Sequence, residues 1–139
     1  MSDEEKIVSD ECQHLLDVAR RARLHAFAPY SGFLVGAAML AEDGRVFSGC
    51  NVENATYGLT MCAERVALLK AISEGARKFS RIAVVADSDN VVPPCGACRQ
   101  LLWEFAGNIE VILGNLTDET GHYEMKDLFP LPFDERLVR

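Results

Sequence analysis

The chain has 139 residues, enough for one domain, and its 49% hydrophobic and 25% charged residues exclude a disordered polymer. Folding a chain of this size hides about 68% of its extended surface, so the core needs no disulfide staples. Acidic residues outnumber basic ones by 21 to 14, for a net charge of -7. That argues against a general polynucleotide binder, whose affinity comes mainly from Lys and Arg on phosphates.

The opening stretch MSDEEKIVSD is acidic and lacks an apolar run, unlike a signal or transit peptide. The most continuous apolar stretch, Phe33 to Ala41, is about half the length of a bilayer-spanning helix. These features predict a soluble, cytoplasmic protein with no membrane partner, small enough for nuclear entry by diffusion. One domain is expected over residues 1–139, without repeats or low-complexity linkers.

Ser9 followed by Asp10 and Glu11 predicts a helix start, with acids at the positive end of the dipole. Leu15, Leu16, Ala19, Ala22 and Ala26 keep helical spacing until Pro29. Phe33 to Ala41 predicts a strand buried on both faces, Glu42-Asp43-Gly44 a hairpin turn, and Arg45 to Val52 the returning strand. A loop over Glu53 to Thr60 leads to Met61-Cys62-Ala63-Glu64-Arg65 and a helix over Val66 to Glu74, ended by Gly75. Arg81 to Ala86 predicts a third strand, Cys95 to Ala106 a third helix, and Ile109 to Leu113 a fourth strand. His122 to Met125 is expected as a fifth. Its connection to Leu113 is too short for a parallel crossover, so strands four and five should be antiparallel neighbours. The expected fold class is α/β: a mixed five-stranded sheet with helices on both faces.

Five cysteines are an odd number in a chain expected to lack an export signal, which points to free thiols, a metal site or catalysis. Cys95 and Cys98 form a C-x-x-C at a helix start, and Cys62 stands at another. Exposed backbone N–H groups and the dipole favour thiolate there, the form that binds zinc. Three readings stay open on spacing alone: a zinc site, a thiol redox pair, or core thiols. A closed structural zinc would need a fourth ligand, for which Cys12, Cys50, His14, His25 and His122 are available. Glu64, two residues after Cys62, is either a solvated acid at a helix N-terminus or a general base beside a metal.

Cys62-Ala63-Glu64 followed by Pro94-Cys95-Gly96-Ala97-Cys98 resembles the zinc-dependent nucleoside deaminase signature. With Phe33, Asn51-Val52-Glu53-Asn54 and Phe133, the all-cysteine version is similar to the small homotetrameric cytidine deaminases. The resemblance covers nearly the whole chain.

It implies one Zn²⁺ per chain on Cys62, Cys95 and Cys98, water in the fourth position, and attack of the resulting hydroxide on C4 of cytidine or deoxycytidine. Glu64 moves protons from water to N3 and then to the leaving amine. The products are ammonia and uridine or deoxyuridine, as in pyrimidine salvage. The resemblance also implies that Arg65 bonds a ligand sulfur and withdraws charge, that Phe33 packs on the base, and that the Ala63 backbone meets its carbonyl. Asn51 and Glu53 would hold the ribose 3′-hydroxyl, leaving no room for a polynucleotide. Ala55, Tyr57 and Phe133 would enter a neighbouring subunit's site in a homotetramer. A modified nucleoside as substrate and a non-catalytic zinc-stabilised binding module are the alternatives. Cys12, Cys50 and the three histidines receive no role.

Overall fold

A computed structural model describes residues 2–137. Met1 and residues 138–139, the ends of the expected domain, lie outside the described residues. Helix α1 spans Asp3–Ala22, and the hairpin strands β1 and β2 span Val35–Ala41 and Val46–Cys50. Then follow α2 (Ala63–Ser73), β3 (Phe79–Ala86), α3 (Gly96–Ala106), β4 (Glu110–Gly114), β5 (Thr120–Glu124) and the single turn α4 (Met125–Leu128).

The five strands form one sheet in the order β2-β1-β3-β4-β5. Only β3 and β4 pair in parallel; β4 and β5 are antiparallel, as expected from their short connection. Because β1 runs antiparallel to both β2 and β3, those two strands point the same way.

Helix α1 covers one face. Its Cys12, Leu15, Leu16 and Ala19 pack on Ala38, Ala83, Val85 and Ile112. Helices α2 and α3 cover the other, where Ala67, Leu68 and Leu102 meet Met39, Ile82, Val84 and Val111. Burying each large side chain of these layers stabilises the fold by about 1.5–3 kcal/mol. Two glycines let the helices approach. A Cβ on Gly36 would sit 1.9 Å from the Ala19 carbonyl oxygen, and one on Gly49 would sit 2.5 Å from the Ala67 nitrogen. Among the described residues, no helix is long and apolar enough to cross a membrane.

Several boundaries differ from expectation. Helix α1 is capped by Ser2, whose side chain accepts from the Glu5 backbone N–H, rather than by Ser9. The run Ser2-Asp3-Glu4-Glu5 is itself a strong helix start, with three acids in the first turn. The helix ends at Ala22, not near Pro29, and passes into a 3₁₀ turn over Arg23–His25. Phe33 precedes β1, and β2 stops at Cys50 instead of Val52. Strand β5 begins at Thr120, and Met125, expected in that strand, opens α4. Cys62 and Cys95 are the residues that cap α2 and α3, with extended backbones.

Candidate active site

The shared direction of β2 and β3 sends the chain out at the same rim of the sheet, and both segments return as helices. The starts of α2 and α3 therefore lie side by side. Their caps, Cys62 and Cys95, and Cys98 in the first turn of α3 bring three sulfurs together: Cys62 Sγ is 3.9 Å from Cys95 Sγ, and Cys95 Sγ is 3.4 Å from Cys98 Sγ. A tetrahedral ion with Zn–S bonds of about 2.3 Å places its sulfurs about 3.8 Å apart, so the spacing fits zinc. Among the described residues, no fourth Cys, His, Asp or Glu donor joins the group within 4.8 Å. The donor set is thus that of an open site, three protein ligands with one position left for another molecule.

Cys98 is fully buried, Cys62 half-buried and Cys95 exposed. Hydrogen bonding with Cys98, and then with Arg65, brings the Cys62 thiol down to about 5 despite its partial burial. The Cys98 thiol is pushed the opposite way by the same bond to Cys62 and by burial. Metal binding requires the thiolate form, which these contacts favour at Cys62. Arg65 donates from Nη2 to Cys62 Sγ at 3.5 Å and to the Thr60 carbonyl at 3.1 Å. Arg99 instead donates from Nε to the Pro94 carbonyl at 2.7 Å, bracing the segment before Cys95.

Glu64, in the first turn of α2, is 5% exposed and is not a fourth ligand. Burial, followed by the charge of Cys62, raises its carboxyl to about 7. A carboxyl near neutrality can both accept and return a proton.

A cleft of about 270 Å³, the size for one small molecule, opens beside these groups. Phe33, Asn51, Glu53, Cys62, Ala63, Glu64 and Cys95 all border it. Asn51 and Glu53 flank Val52, which bridges to both Phe27 and Met61, so the extended chain there continues past β2. Asn51 is a clamp as well as a cleft residue. Its Oδ1 accepts from the Val35 N–H at 2.9 Å and its Nδ2 donates to the Phe33 carbonyl at 2.8 Å. Glu53 accepts from the N–H groups of Tyr30 and Ser31 and from the Ser31 hydroxyl, which holds its carboxylate below the ordinary range.

Sequence reasoning missed Ser31, Val84, Val92 and Pro93, which also line the cleft. Ser31 carries no motif, and only its bond to Glu53 reveals its place. Tyr57 lies in a neighbouring depression with Tyr30 and Thr60, and the residue is 75% exposed. Ala55, two residues before it in the chain, is exposed, and Phe133 is exposed on the C-terminal segment, its carbonyl accepting from Gln100 Nε2. None of these three borders the cleft within the chain. Cys12, Cys50 and the histidines lie outside the sulfur cluster.

A mixed sheet with two helix starts holding three thiols beside a buried carboxylate defines a zinc hydrolase of the deaminase type. Residues 9–114 match the family model for the cytidine and deoxycytidylate deaminase zinc-binding region, and the chain belongs to that family. A cytidine deaminase of Halalkalibacterium halodurans is 52% identical over 122 residues, 87% of this chain and 92% of the relative. One of Sporosarcina psychrophila is 46% identical over 126 residues, 90% of this chain and 93% of the relative. A crystal structure of cytidine deaminase from Burkholderia pseudomallei superposes with a TM-score of 0.85 at 47% identity, covering 87% of this chain and 98% of that one.

Proposed function

We propose that the protein deaminates cytidine and deoxycytidine hydrolytically, releasing ammonia and leaving uridine or deoxyuridine. The observation that carries this reading is the buried Glu64 carboxyl beside the three-thiol cluster at the border of a cleft. The named activity of relatives at 46–52% identity supports it.

Cys62, Cys95 and Cys98 would hold one zinc ion. When bound, zinc supplies the Lewis acidity that makes water nucleophilic near neutral pH. Glu64 takes a proton from the attacking water and passes it to N3 as the bond from oxygen to C4 forms. It then carries the second proton to the exocyclic nitrogen. The C4–N bond breaks, ammonia leaves, and the oxygen stays on C4 as the uracil carbonyl. Two proton transfers by one carboxylate require the near-neutral affinity that burial gives Glu64.

Three thiolates and a divalent ion sum to one negative charge, which opposes activation of water. Arg65, bonded to Cys62 Sγ, draws part of that charge away. Phe33 packs against the pyrimidine ring and the Ala63 backbone meets the base carbonyl. Asn51 and Glu53 receive the ribose 3′-hydroxyl with the hydrogen-bonding capacity that their clamp contacts leave. The work fits pyrimidine salvage in the cytoplasm.

The protein assembles as a homotetramer in which Ala55, Tyr57 and Phe133 reach a neighbour's cleft. Their exposure, together with that of the apolar Leu131 and Leu59, supports this arrangement. The decisive experiment is ammonia release from cytidine by purified protein of known zinc content. Turnover at one zinc per chain is expected. A zinc-loaded protein that releases none would overturn the assignment and leave a modified nucleoside or a non-catalytic zinc module.

A further inference from the structure

A second cluster of metal-binding side chains lies on the opposite face of the sheet. Cys12 of α1, Glu110 of β4 and His122 of β5 place one donor atom each within 4.8 Å of the others. The topology makes this meeting specific. His122 pairs across the antiparallel ladder with Ile112, two residues from Glu110, so both side chains rise on the face that α1 covers. Cys12 comes down onto them from the helix.

The geometry points to a second divalent transition-metal site, bound by Cys12 Sγ, Glu110 Oε1 and His122 Nδ1, with zinc as the ion whose chemistry it fits. Sulfur, imidazole nitrogen and carboxylate oxygen together are a zinc donor set, whereas calcium and magnesium select oxygen alone. The separation of His122 Nδ1 from Glu110 Oε1 is 3.4 Å. Tetrahedral Zn–N and Zn–O bonds of about 2.1 Å place their donors about 3.4 Å apart.

The surrounding groups support that use. Arg81 donates from Nε to Glu110 Oε2 at 2.8 Å, orienting the carboxylate while Oε1 faces the imidazole. A surface depression bordered by Val8, Gln13 and Thr120 opens the cluster to solvent, giving an entry path and room for water as a fourth ligand. On binding, the Cys12 thiol would release its proton to solvent and the ion would join α1 to the edge strand β5. This site is independent of the deaminase reading, because it shares no residue with the cleft.

The test uses holoenzyme already carrying zinc on Cys62, Cys95 and Cys98. It is dialysed against Co²⁺, freed of unbound ion, and assayed for zinc, cobalt and absorbance. The wild type should hold two metals per chain, with its zinc retained and a thiolate-to-cobalt charge-transfer band. Cys12→Ala and His122→Ala should each hold one metal and lack the band, with cytidine turnover unchanged. His122 is more than half exposed, so its variant tests the site even if Cys12→Ala folds poorly. One metal per chain in the wild type, or two in His122→Ala, would overturn the proposal.

Discussion

Gly49 of β2 lies directly beneath Ala63 of α2: a Cβ at position 49 would come within 2.7 Å of the Ala63 carbonyl oxygen. That carbonyl belongs to the first turn of the helix that carries Glu64 and is capped by Cys62. Sheet and site are therefore in backbone contact, with no side chain between to absorb a change.

Gly49→Ala should push the start of α2 off the sheet. Overpacking of this kind costs about 1–3 kcal/mol. A displacement near 1 Å at the carboxylate lowers turnover by up to about a hundredfold. Thermal melting and kcat on cytidine, measured together, check both. An unchanged kcat with a lowered Tm would show that the helix start tolerates the shift.

Glu64→Gln should keep zinc and lose turnover by about 10²–10⁴-fold, the usual contribution of a positioned acid–base group. The amide has the same shape but cannot carry the proton. Metal analysis beside an ammonia assay tests this, and near-normal turnover would remove Glu64 from the chemistry.

Arg65→Gln should alter kcat and the pH profile more than zinc content. The three cysteines remain, but Cys62 Sγ loses the guanidinium 3.5 Å away. If the kinetics are unaltered, Arg65 does no more than brace the Thr60 carbonyl.

Asp134 offers a pH-dependent readout remote from the sulfurs. Hydrogen bonds from Arg136, then from Trp103 Nε1 at 3.2 Å, hold its carboxyl at about 2. A lowered carboxyl contributes stability above its ordinary value of 3.8 and loses it as pH falls through the folded value. The C-terminal segment should therefore loosen between about pH 4 and 2. Trp103 is the single tryptophan in the sequence, so its fluorescence should report the transition, which Asp134→Asn should abolish. A transition of equal size in that variant would place its origin elsewhere.

The site was more legible in the sequence than the element boundaries were. Spacing around two helix starts singles out Cys62, Cys95, Cys98 and Glu64, but it leaves a zinc site, a redox pair and core thiols open, and the resemblance to the deaminase signature is what chooses among them. The bonds of Asn51 to Phe33 and Val35 were not readable, since they join segments brought together by the β1–β2 register. Strand β5 carries almost no buried residue, so neither periodicity nor apolarity marks its ends. The two serines of the N-terminal segment both precede acids, and the choice of Ser2 over Ser9 follows from uninterrupted helix between them.

The common direction of β2 and β3 has a further consequence for how this architecture can change. The segments 51–62 and 87–95 carry the chain from those strands to the two caps, and both border the cleft, while the strands and the helix bodies make the core. Apart from Asn51 and Glu53, whose side chains also brace the segment 30–35, recognition is thus separable from folding. Alterations in these two connections reshape what the cleft admits, provided their final residues still deliver Cys62 and Cys95 to the rim. One scaffold can accordingly be retuned toward other aminated rings with its hydrophobic layers left intact.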